Sequence, residues 1–142
     1  MEDIKKLDEL KKHYSGGNPR EFSPLVLAYI GDAVYEILVR IHVLSFGNCP
    51  VNRMHKKSSE IVKAKGQKNA YIKIKDMLTE EEASVFRRGR NAKSHTMPKN
   101  AELMDYKIAT GLEALYGYLY LKGDTERLFE LFKIGLLVEK EK

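Results

Sequence analysis

The sequence predicts an all-α domain, and three observations carry that expectation. Apolar residues recur at three- and four-residue spacing over most of the chain, which is the period of one helix face. No segment alternates with period two for long enough to be a strand. Glycine, asparagine and proline gather in short clusters between the periodic stretches, where they interrupt helices. At 142 residues the chain is the size of one domain, and a hydrophobic fraction of 43% is enough for one packed interior. The expectation is a single domain over residues 1–142 with six helices and short connections.

Ile4, Leu7, Leu10 and Tyr14 make residues 2–14 a short amphipathic helix, broken by Gly16, Gly17 and Pro19. Ser23 and Pro24 open the second helix as N-cap and first helical residue. It runs to about Ser45, where Gly47, Asn48 and Pro50 end it. Asn52 can cap a third helix, from Arg53 to about Met77, with Met54, Ile61, Val62, Ala64, Tyr71, Ile72 and Ile74 as its apolar positions. Thr79 followed by Glu82 is a capping box, so a fourth helix starts at Glu80 and reaches about Gly89. Residues 90–99 read as a loop. A fifth helix spans about Asn100 to Leu121; Gly123 ends it, and Asp124 caps a sixth that runs to about Val138.

Several classes are excluded early. With one cysteine, Cys49, the chain can form neither an intrachain disulfide nor a cysteine-based zinc site. No apolar run approaches the roughly 20 residues of a membrane span. The first residues lack the basic-then-apolar order of a signal peptide. A soluble, cytoplasmic protein is expected. The net charge of +5 leans toward an anionic partner, and the excess is local. Residues 53–99 hold 13 Lys or Arg against 5 Asp or Glu, whereas the rest of the chain holds 12 against 15. The lysines at 63, 65, 68, 73 and 75 read as a solvated helix face. Arg87, Arg88, Arg90, Lys93 and Lys99 have no acid among residues 83–99, and Asn91, Ser94, His95 and Thr96 stand between them as donors. Arginines in such a loop suit the phosphates and riboses of a nucleic acid. His95 reads as a surface donor.

Two carboxylates break the pattern of their helices. Asp32 lies in the middle of the apolar run of the second helix, beside Gly31. Burying a carboxylate is costly unless it is paired, and a glycine there costs the helix about 1 kcal/mol relative to alanine. Glu113 sits in a similar run of the fifth helix, among Gly111, Ala114 and Gly117. Helices with small residues can cross closely, which would let Asp32 and Glu113 converge. A converging pair of acids beside a basic surface suits magnesium, which takes oxygen ligands and keeps several waters. Spacing alone leaves open that the two are unrelated polar residues on separate surfaces.

Gly31-Asp32-Ala33-Val34 and the run Leu112-Glu113-Ala114-Leu115-Tyr116-Gly117 resemble the two acidic helices of the ribonuclease III catalytic domain. Between them, Phe86-Arg87-Arg88-Gly89-Arg90-Asn91-Ala92-Lys93-Ser94 is similar to the mini-ribonuclease III branch, which lacks a double-stranded-RNA-binding domain. The resemblance covers roughly residues 21–138, and it rests on three motifs in one order. It implies the helical bundle of that endonuclease domain and a magnesium-dependent cut of double-stranded RNA, leaving 5′-phosphate and 3′-hydroxyl ends. Ribosomal RNA precursors of the large subunit are the implied substrates. Asp32 and Glu113 match the catalytic, metal-binding carboxylates, and the chemistry is attack of an activated water in line with the scissile phosphodiester. Arg87, Arg88, Arg90, Asn91, Lys93, Ser94 and Lys99 are the RNA-binding candidates.

The match is incomplete. Where the family motif has a glutamate four residues before the aspartate, this chain has Ala28; where it has an aspartate three residues before the second glutamate, this chain has Thr110. The metal count therefore stays open, with Glu36 and Asp105 as the other acids that could lie nearby. The missing acids also motivate an alternative, a non-catalytic RNA-binding or ribosome-associated module on the same fold. Tyr29 falls where the family's dimer-interface aromatic would sit. An antiparallel duplex has local two-fold axes, so a two-fold homodimer could present one site to each strand. Its patch is expected around Leu25, Ala28 and Tyr29.

Overall fold

Between Ala109 and Leu119 every residue except Glu113 is buried. A helix apolar on all sides belongs in the middle of a structure, and the rest of the fold is arranged around this one. The structure, a computed structural model, describes residues 6–11, 18–93 and 102–137. Residues 6–11 are helical (α1). A 3-10 turn at Pro19–Glu21 leads into α2 (Pro24–Leu44), α3 (Val51–Val62) and α4 (Ala64–Ile74). A second 3-10 turn, Lys75–Met77, precedes α5 (Glu80–Asn91), α6 (Glu102–Lys122) and α7 (Thr125–Leu136). The described residues contain no strand. The central helix α6 packs against α2, α5, α4 and α7.

The local signals for helix ends are met. Ser23 Oγ accepts from the Val26 N–H with Pro24 in the first turn. Thr79 and Glu82 form the reciprocal capping box. Gly123 takes a positive φ of 88°, and Asp124 accepts from the Arg127 N–H. Leu27, Val39, Leu112, Leu115, Leu119 and Leu131 fill the interior, with Tyr35 stacked on Tyr116 at 5.4 Å between ring centroids.

Three expectations are corrected. The third helix is two: Lys63 adopts an extended conformation, ψ 161°, and separates α3 from α4. The reason is tertiary. Gly66 lies so close to the carbonyls of Glu60 and Ile61 that a methyl group would come within 2.5 Å of each oxygen, so α4 folds tightly back on the end of α3. That helix also starts earlier, at Val51, with Pro50 rather than Asn52 at its N-cap. Finally, α5 runs on to Asn91, which places Arg87, Arg88, Arg90 and Asn91 on its last turns and not in a loop. Gly89, read as the end of the helix, is instead buried against α6, where a methyl would meet the Ala114 methyl at 2.8 Å and the Gly111 Cα at 2.9 Å.

Candidate active site

The crossing of α2 and α6 builds the site. A methyl added to Gly31 would collide with the carbonyl oxygen of Glu113 and lie 2.9 Å from the Gly117 nitrogen. One added to Gly117 would collide with the Leu27 carbonyl and lie 2.9 Å from the Gly31 nitrogen. Two glycines, one from each helix, therefore bring the backbones into direct contact. Asp32 follows Gly31 and is exposed, while Glu113 is half-buried. The two carboxyl groups stand close enough for Asp32 to act on the acidity of Glu113.

Glu113 is consequently a weak acid, pushed up to about 7. Burial is the largest cause, and the neighbouring Asp32 carboxylate adds to it. The opposing influence is Gln67, whose Nε2 donates to Glu113 Oε2 at 2.9 Å. The second N–H of the same amide goes to the Val62 carbonyl, also at 2.9 Å. Behind the carboxyl pair, burial and the charge of Glu113 push the Tyr35 phenol up, and burial does the same to Tyr116. The hydroxyls of both tyrosines and Gln67 Oε1 are buried and find no hydrogen-bond partner among the described residues.

Sequence reasoning did not single out Gln67. Its signal is faint: the spacing 67, 70, 74 puts it on the buried face of α4 with Ala70 and Ile74, a polar residue among apolar ones.

The other two candidate acids are paired with bases. Glu36 pairs with Arg40 at 2.9 Å and Asp105 with Lys68 at 3.2 Å. Ala28 is buried in the core, and the Thr110 hydroxyl donates back to the Tyr106 carbonyl at 2.9 Å. Among the described residues no group of three or more acids, histidines or cysteines is placed to hold a metal. A carboxylate pair alone is a fitting donor set for a hard cation that keeps most of its positions for water and phosphate oxygens.

Of the basic residues, Arg87 and Lys93 are exposed, as is Asn91. Arg90 lies over the Phe86 ring at 5.9 Å and donates to Asn91. Arg88 turns inward, donating to the carbonyls of Arg20 and Phe22. Ser94 and Lys99 lie outside the described residues. Tyr29 is 77% exposed and is no core aromatic. Ala28, in contrast, is buried and does not belong to a surface patch with it.

The Ribonuclease III domain model matches residues 25–124. The chain belongs to the ribonuclease III family. Within the family it is 50% identical over 119 residues to a Mini-ribonuclease 3 from a Thermoanaerobacter species, with 84% of each chain covered. It is 45% identical over 133 residues to the Mini-ribonuclease 3 of Clostridium tetani, covering 93% of this chain and 88% of that one. The crystal structure of a Fusobacterium nucleatum protein superposes with a TM-score of 0.73 at 36% identity, over 81% of this chain and 92% of the other. These relatives place the chain in the mini-ribonuclease III branch, and it is an endoribonuclease of the ribonuclease III type. No helix among the described residues is long and apolar enough to cross a membrane.

Proposed function

We propose that this endoribonuclease cuts double-stranded RNA with magnesium held by Asp32 and Glu113, and that its substrate is a ribosomal RNA precursor in the cytoplasm. The observation that carries the reading is the carboxyl pair at the glycine crossing. Nothing in the packing of α2 against α6 needs two acids in contact, and their mutual repulsion is a cost that a bound cation reverses.

Each residue has a defined task. Gly31 and Gly117 set the separation of the helices and so of the acids. Asp32, exposed, faces the substrate side, and Glu113 supplies the second oxygen ligand from the half-buried side. To bind, Glu113 must give up its proton, because carboxylates ligate as anions. When bound, the cation acts as a Lewis acid that lowers the pKa of water and offsets charge at the phosphate. Arg87, Arg90, Asn91 and Lys93 contact the RNA backbone, with Ser94 and Lys99 continuing the surface; they read A-form shape more than sequence. Arg88 braces α5 against the first 3-10 turn.

The working unit is a two-fold homodimer built on α2. Val26, Tyr29, Ile37, Ile41 and Leu44 leave an apolar stripe exposed along the helix, opposite the face it buries against α6. Tyr29 lies in a groove with Leu7, Leu10, Phe22 and Leu121. An isologous interface on this stripe covers it and puts one site on each strand.

Labelled precursor RNA tests the reading. A duplex is cut on adding magnesium and spared with EDTA, and the single strand is spared in both. A duplex left whole with magnesium, or cut equally with EDTA, overturns it.

A further inference from the structure

We propose that Gln67 is the positioning residue of this site, fixing the Glu113 carboxylate from behind and tying it to the break between α3 and α4. The proposal rests on the metal-site reading above. An amide has two N–H donors, and both are spent on acceptors in fixed elements: one on the Val62 carbonyl, the other on Glu113 Oε2, each at 2.9 Å. Because the Val62 carbonyl can only accept, the orientation of the amide is determined. Val62 ends α3, so its carbonyl is among those that a helix terminus leaves without an intrahelical donor. Gln67 thus joins a helix end to a functional carboxyl 46 residues away in sequence.

The arrangement is costly, which argues for a function. Gln67 is 3% exposed, and its Oε1 is buried with no partner among the described residues. An orphaned acceptor of this kind carries the cost of its lost hydration, a penalty that an apolar side chain of the same length would avoid. Its gain is a fixed Glu113 rotamer. In a site where the described residues supply only two acids, Ala28 and Thr110 offering none, a Glu113 that swung away would leave Asp32 alone. Outer partners of metal-ligating side chains commonly set their orientation in this way, and losing one weakens metal binding about 10–100-fold.

The test uses the full chain and Mn2+ as an EPR-visible probe, so that binding is read without turnover. The wild type binds Mn2+ and Glu113→Gln does not. Gln67→Met keeps the length and loses both donors. It retains its helical circular dichroism, its Mn2+ affinity falls about tenfold or more, and excess metal restores kcat with the KM for duplex RNA unchanged. A role confined to capping α3 would lower the melting temperature and leave the Mn2+ affinity alone, which overturns the proposal. If Gln67→Met does not fold, Gln67→Asn is read by the same criterion, since its amide falls one methylene short of Glu113. If the wild type binds no Mn2+, or Glu113→Gln binds it as well as the wild type, the metal-site reading falls and Gln67's role falls with it. Failure of Gln67→Met alone, with both controls as expected, leaves that reading standing.

Discussion

Gly31 of α2 rests on the backbone carbonyl of Glu113 in α6, with no room for a methyl group between them. That contact, rather than any attraction between the acids, fixes how far Asp32 stands from Glu113. Elsewhere in a helix, glycine to alanine stabilises by about 1 kcal/mol; here the sign is reversed.

Gly31→Ala should force the two helices apart. Overpacking of this kind costs about 1–3 kcal/mol, and a misplacement of about 1 Å costs on the order of a hundredfold in rate. Thermal melts and single-turnover cleavage well below the melting temperature check both. A variant that cleaves at the wild-type rate would mean that the crossing does not set the site.

With Glu113 as a proposed ligand, metal binding should depend on pH. In the metal-free protein its carboxyl is pushed up to about 7, so below that pH a proton competes with the cation. Apparent metal affinity should rise with pH through about 7 and level off above it. The sign for stability is opposite: the folded state holds this proton more tightly than the unfolded chain. Its contribution is full below the ordinary carboxyl range and is lost as pH rises through about 7. Calorimetric titration at several pH values measures the proton released on binding. An affinity flat between pH 6 and 8 would contradict a Glu113 carboxyl raised to about 7.

A second carboxyl behaves the other way. Glu82 is buried on α5 and receives two bonds from Arg127 on α7, at 2.8 and 2.9 Å, while Arg127 also donates to the Met77 carbonyl. Burial pushes the Glu82 carboxyl up, but the Arg127 guanidinium and the Thr79 cap outweigh it and hold the carboxyl below its usual value. With a folded pKa below the unfolded one, this stability is present above the usual carboxylate range. It is lost as pH falls through the folded value. Arg127→Met should cost about 3 kcal/mol at neutral pH, because it leaves a buried charge unpaired. The gap to wild type should narrow on acidification. Urea melts at pH 7 and pH 4 check it, and a gap independent of pH would contradict the pairing.

Because Tyr29 is largely exposed, removing it should barely affect the fold of one chain. Tyr29→Asp should move the protein from a dimer, at twice the 16.3 kDa chain mass, toward the monomer. Light scattering at micromolar concentration reads this directly. A wild type of strictly monomeric mass that still cuts both strands would rule out the proposed assembly.

Which features were legible follows from how local their causes are. Ser23, Thr79 with Glu82, and Asp124 act on N–H groups three residues away, so their caps stand in the sequence. The glycine crossing was legible through Gly31 and Gly117, small residues beside an acid that a helix core disfavours. The break at Lys63 was not, because apolar spacing continues through Val62 and Ala64, and the decisive contact is Gly66 against another helix end. The same holds at Gly89: a glycine that looked like a stop is a packing contact with α6, so α5 continues and carries the arginines. Gln67 depends on two acceptors in different elements, one of them remote, and no local pattern announces that. Arg88 looked like its neighbours and differs only because Arg20 and Phe22 lie within its reach.

The most direct test of the central claim is single-turnover cleavage of labelled duplex RNA by Asp32→Asn, with duplex binding measured in parallel. The substitution keeps the size of the side chain and removes the charge proposed to hold the cation. Cleavage should be abolished, with the melting temperature and duplex affinity close to wild type. Cleavage at the wild-type rate would show that the Asp32–Glu113 pair is not where the phosphodiester is cut.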